Sequence, residues 1–241
     1  MDITLFWMII GFMLAAYSVV ANDSVQTLGP WLASNSEKFK WYTLWAAASV
    51  GLLITMWYGW YVNAGDISYG RLNQIPFQEV QWYHATAPAI LLLLTRLGVP
   101  VSTSFLVLSA FASTFVLEKM LVKSVMGYAL AAVAAYCVWI ILERLIDEKR
   151  DKVKSQHKTY WRVALWSTTG FLWYTWLTHD MANIAVFLPR ALSIEWMFFI
   201  SAVFVVFLGY TFRERGGKIQ EIVLEKTGTR FVRSATIINL V

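Results

Sequence analysis

The sequence predicts an all-α, polytopic membrane fold: two inverted repeats with broken helices and a re-entrant hairpin, the second repeat incomplete. Three observations predict it. Only 15% of the 241 residues are charged and 58% are hydrophobic, whereas a soluble chain carries about a quarter charged residues. The charge is also segregated: 5–21, 41–62 and 126–142 carry none, and a run of about 20 apolar residues crosses a bilayer. Finally, two apolar runs are each interrupted by a polar turn bearing an acid, Asn22-Asp23 and His179-Asp180. Such a group costs a few kcal/mol in hydrocarbon unless it is paired or coordinating.

The predicted elements follow in chain order. Segment 3–21 lacks the basic start of a signal peptide and reads as a retained span. It meets Asn22-Asp23-Ser24 and continues as a second, shorter apolar stretch over 24–34, broken near Gly29-Pro30. Segment 41–62 is an uninterrupted span, followed by a Gly-rich amphipathic connector over 65–81. Segments 83–97 and 101–117 are each too short to cross about 30 Å comfortably, and Leu97-Gly98-Val99-Pro100 separates them. They read as the arms of a hairpin, with one long span kinked at Pro100 as the alternative. Segment 124–142 is a linking span that leads into a charged loop to residue 158. Segments 160–178 and 181–192 flank His179-Asp180 as 3–21 and 24–34 flank Asp23, and 194–212 is again uninterrupted, with a Gly-rich connector at Gly216-Gly217-Lys218. The pattern therefore repeats at an offset of roughly 150 residues. The units are a first repeat over 1–123, a linking span and loop over 124–158, and a second, incomplete repeat over 159–241.

Charge gives the orientation. Of twenty Lys and Arg, thirteen fall in 144–162 and 213–233, which reads as the positive excess of cytoplasmic loops. The basic balance is thus a membrane-topology signal and not a nucleic-acid surface. Placing the 143–162 loop in the cytoplasm puts the N-terminus outside, where it carries no Lys or Arg, in a multi-pass inner (plasma) membrane protein. The two repeats then start on opposite sides, the architecture that places a substrate site between broken helices near the midplane. The single Cys137 lies in an apolar segment and makes no disulfide framework. Three dispersed His make no metal pattern, and no enzyme chemistry is expected; His84 and His157 carry little weight.

The chemistry is expected at the interruptions. Asp23 and Asp180 with the amides of Asn22 and Asn183, aided by freed main-chain carbonyls, make a hard oxygen shell for Na⁺, and a proton can replace Na⁺ at the same carboxylates. The alternative is that each Asp merely caps the half-helix after it. Ser102, Thr103 and Ser104 follow Pro100 at a helix start, where hydroxyls and N–H groups suit an oxyanion without Lys or Arg.

These motifs resemble the inorganic phosphate transporter family (PiT), whose halves each carry G-A-N-D-V-A-N and then G-x-P-V-S-T-T. Asn22-Asp23 matches the first motif, Gly98-Val99-Pro100-Val101-Ser102-Thr103 nearly completes the second, and Asp180-Met181-Ala182-Asn183 matches D-V-A-N. Val20 replaces the family's small Gly, Gln26 its final Asn and His179 the first Asn of copy two. The second P-x-S-T-T is missing before Val241, and residues 237–241 read as a cut, so an incomplete transporter is the expectation. The resemblance implies symport of inorganic phosphate with Na⁺ or H⁺, with no other cofactor. Asn22, Asp23, Asp180 and Asn183 would bind the cation, and Ser102, Thr103, Ser104, Gln26 and His179 the anion. Lipid is a necessary partner and a homodimer is compatible with the reading. Sulfate or another oxyanion is the runner-up substrate. A non-transporting membrane protein that keeps the fold is the rival class.

Overall fold

The computed structural model describes residues 2–99, 101–145, 159–214, 220, 235–237 and 239. Pro100, most of the 143–162 loop with His157, and the Gly216-Gly217-Lys218 connector lie outside the described residues. Among the described residues the chain is helical and contains no strand. Its helices are α1 (Ile3–Val19), α2 (Val25–Asn35), α3 (Trp41–Val62), α4 (Thr86–Arg96), α5 (Thr103–Ser109), α6 (Thr114–Leu145), α7 (Thr159–Ala185) and α8 (Ile194–Arg213). Among the described residues, three helical stretches are long and apolar enough to cross a membrane: 3–35, 114–138 and 194–213.

The first correction concerns the polar turn at Asp23. It does not break the helix. Val20–Ser24 forms one π-helical turn, and the helix runs on from Ile3 to Asn35. A π turn displaces the ordinary ladder and frees carbonyls, and it recurs at functional sites. Here the hydroxyls of the same sequence take them up: Ser24 Oγ donates to Val20 O, and Thr27 Oγ1 donates to Asp23 O at 2.7 Å. Pro30 sits inside α2, and Gly29 O, one residue earlier, accepts from Gln220 Nε2 at 2.9 Å. Those two turn carbonyls are therefore satisfied within the protein and are not the open cation ligands expected from a break.

The second correction concerns Asp180. α7 passes through His179-Asp180 without interruption and ends at Ala185. The expected segment 181–192 is not a helix of its own: 181–185 form the end of α7, and the chain then turns through 186–193 into α8. The sequence explains this, because Thr178–Ala185 holds no Gly or Pro and is rich in residues that tolerate a helix. A further adjustment falls at the hairpin. Its arms are shorter than 83–97 and 101–117: a 3₁₀ turn Trp82–Ala85 precedes α4, and α5 is only seven residues. The linking helix α6 already begins at Thr114.

Packing centres on α1, α3, α7 and α8. α3 lies against α7 and α8, α1 against α4, α7 and α8, and the short α5 against α4 and α7. Several Trp side chains stitch helices together. Trp45 Nε1 donates to Val205 O at 2.9 Å, Trp57 Nε1 to Ser201 Oγ at 3.1 Å, and Trp173 Nε1 to Ala48 O at 3.1 Å. Small residues make room for these rings: a Cβ at Gly209 would meet Trp45 Nε1 at 3.2 Å. The connector after α3 is clipped to the turn after α7, with Leu192 N donating to Gly65 O at 3.0 Å and Trp60 Nε1 to Leu192 O at 2.8 Å. Gly65 is needed there twice over, by its φ of +98° and because a Cβ there would meet Leu192 N at 3.1 Å. α6 differs from the rest. Beyond its contact with α5 it is almost wholly exposed from Leu121 to Cys137.

Candidate functional site

Asp23 is held at the π turn and nearly fully buried, at 3% exposure. Its Oδ1 accepts from Asn22 Nδ2 at 2.7 Å and from Thr103 Oγ1 at 3.0 Å. Asn22 Nδ2 also reaches Thr103 Oγ1 and Val101 O, both at 3.2 Å, while Asn22 Oδ1 accepts from Gln26 Nε2 at 2.9 Å. The polar turn and the first turn of α5 are thereby one hydrogen-bonded unit, although 80 residues separate them. Asp23 Oδ2 is left with no partner among the described residues.

Asp180, 2% exposed, sits on the buried side of α7. Asn183 Nδ2 lies 3.5 Å from its Oδ1 at the limit of a hydrogen bond, and both Asp180 Oδ2 and Asn183 Oδ1 lack a partner among the described residues. A buried oxygen left unpaired costs about 1–3 kcal/mol, more for a charge. Asp23 Oδ2, Asp180 Oδ2 and Asn183 Oδ1 are thus buried oxygens without a partner among the described residues.

Both acids line one cavity of about 270 Å³. Gln26 of α2 and Val101, Ser102, Thr103 and Ser104 of the α4–α5 turn complete its wall with them. Tyr128 of α6 and Trp176 of α7 flank it, both largely exposed. The two polar turns thus border one shared space. The fold brings Asp23, Asp180, Gln26, Ser102, Thr103 and Ser104 together directly, with Asn22 bonded to the ring of groups and Asn183 beside Asp180.

His179 is not brought in. It is exposed and lies outside the residues that line the cavity, because successive residues on a helix point about 100° apart. Near it stands Arg71, whose Nε donates to Thr178 O at 3.0 Å. Desolvation draws the Arg71 pKa down, and the nearby Asp180 carboxyl pushes it back up. The sequence reading did not single out Trp176, Tyr128 or Arg71. Trp176 was findable, standing one helical turn before Asp180 on the same face; Tyr128 and Arg71 arrive through tertiary contacts and leave no local signal.

No protein family, curated protein or solved structure matches the chain. What the site can do therefore rests on its own geometry.

Proposed function

We propose that this chain is an integral membrane protein acting as a symporter of inorganic phosphate coupled to Na⁺ or H⁺. The observation that carries the reading is the convergence of two buried carboxylates and three adjacent hydroxyl residues on one cavity. Hydroxyls can donate to phosphate oxygens, while carboxylates repel them. Two unit charges about 4 Å apart interact by roughly 4 kcal/mol at an effective dielectric constant near 20. The anion is therefore excluded until a cation or proton has neutralised the acids. This exclusion is a physical basis for coupling, since the anion is accommodated only after a cation or proton has entered. The oxygen-only donor set suits Na⁺, and the same carboxylates can take a proton.

The paired short helices α4 and α5 support a re-entrant hairpin, and the recurrence of an acid followed three residues later by an amide, Asp23 with Gln26 and Asp180 with Asn183, supports the repeat. Both belong to this proposal, as do the multi-pass plasma-membrane placement and the cytoplasmic 143–162 loop. Because both acids and the hydroxyls already meet in one cavity, binding by this chain itself is the direct test. Calorimetric titration of the purified protein with phosphate should show binding when Na⁺ is present or the pH is low. Equal binding in Na⁺-free alkaline buffer would refute coupling. Sulfate competing as well as phosphate would favour the runner-up substrate. Phosphate exchange across vesicles separates a transporter from a non-transporting protein that keeps the site.

A further inference from the structure

A second cavity, about 290 Å³, lies between α2, α3 and the first half of α7. Its walls are apolar: Trp31, Ala47, Gly51, Trp166, Gly170 and Trp173. The room comes from missing side chains, and a Cβ at Gly170 would meet nothing within 4 Å. Two of its three indoles are committed, Trp166 Nε1 to Asn35 Oδ1 at 3.3 Å and Trp173 Nε1 to Ala48 O at 3.1 Å. Trp31, only 3% exposed, has a buried Nε1 with no partner among the described residues. An apolar groove with one orphan donor calls for hydrocarbon with a carbonyl near its head.

The groove is also placed at one end of the helices. Trp31, Ala47 and Trp166 stand within seven residues of Asn35, Trp41 and Thr159, the ends of their helices, or within about 10 Å at 1.5 Å per residue. The loop at that end carries Lys38 and Lys40. Lys38 Nζ lies over the Phe39 ring at 5.7 Å, Phe39 meets Trp166 edge-on at 5.8 Å, and Trp166 meets Trp31 edge-on at 5.0 Å. A strip of ammonium, aromatic rings and orphan N–H therefore runs from the loop into the groove.

We propose that this groove binds one acyl chain of an anionic glycerophospholipid from the surrounding bilayer. Lys38 and Lys40 meet the phosphate, Trp31 Nε1 donates to the ester carbonyl, and the chain lies along Gly51 and Gly170. Basic residues at a membrane surface favour anionic lipid by about 1 kcal/mol each, and Glu37 beside the two lysines offsets one of them. The inference rests on the bilayer placement of the helices but not on the phosphate reading, so each can fail alone.

The test uses the purified, delipidated chain in detergent, with lipid retention read by native mass spectrometry and stability by thermal melting. The probes are dioleoyl-phosphatidylglycerol, dioleoyl-phosphatidylcholine and the ether-linked analogue of the phosphatidylglycerol, which lacks the carbonyl. The expected result is retention of the ester phosphatidylglycerol over phosphatidylcholine on the order of fivefold, and over the ether analogue, with a rise in Tm. Gly170→Leu should remove the rise, Trp31→Phe the preference for ester over ether, and the Lys38→Gln/Lys40→Gln pair the preference for anionic lipid. Equal retention of ester and ether lipid by the unaltered protein overturns the proposal, even where Gly170→Leu fails to fold. An undiminished rise in a folded Gly170→Leu variant overturns it too.

Discussion

Asp23 uses its two oxygens differently: Oδ1 takes two hydrogen bonds and Oδ2 none among the described residues. Asp23→Asn keeps the shape and removes the charge, so the fold should survive while cation-dependent phosphate binding weakens by at least about tenfold, or about 1.4 kcal/mol. Titration calorimetry on both proteins checks this, and unchanged affinity would reduce Asp23 to a local hydrogen-bond acceptor. Asp180→Asn should have the same effect. Since both acids line one cavity, the double variant should lose little more than the worse single, because neighbours in one site are not additive. Additive losses would mean two independent sites.

At the scale of elements, the π turn sets the direction in which Asp23 points. Deleting Ala21 removes the extra residue of Val20–Ser24 and lets a regular α-helix form, which keeps the flanking turns in register but changes the direction of Asp23. Circular dichroism should show a helical protein, and phosphate binding should be lost. Retained binding would show that the turn does not position the acid. The contact of α3 with α8 offers a separate test. A side chain at Gly209 meets the Trp45 indole, so Gly209→Val should lower stability by about 1–3 kcal/mol and disturb the Trp45–Val205 bond. Thermal melts would show this as a lower Tm, partly restored by adding Trp45→Phe; a Tm equal to that of the parent would contradict the close packing.

For the whole molecule, the proposed topology makes a prediction that owes nothing to the cavity. With Cys137 replaced by Ala, a Cys placed at Lys152 should resist a membrane-impermeant maleimide in intact cells and react once the cells are opened. Rapid labelling in intact cells would invert the assignment.

The sequence alone determined the helical class, the apolar segments at 3–21, 41–62 and 194–212, and the polar turns, because hydropathy and charge segregation are properties of consecutive residues. It also singled out Asn22, Asp23, Thr103 and Asp180 as costly or purposeful groups at apolar depth. Tertiary structure alone decided that Asp23 turns within a continuous helix, where Ser24 and Thr27 donate to the Val20 and Asp23 carbonyls. It also decided that α7 runs unbroken through Asp180, that His179 faces away, and that Asp23 and Asp180 share one space with Tyr128 and Trp176. Those outcomes depend on how helices distant in sequence cross and which faces they bury, and no local pattern of residues encodes a crossing.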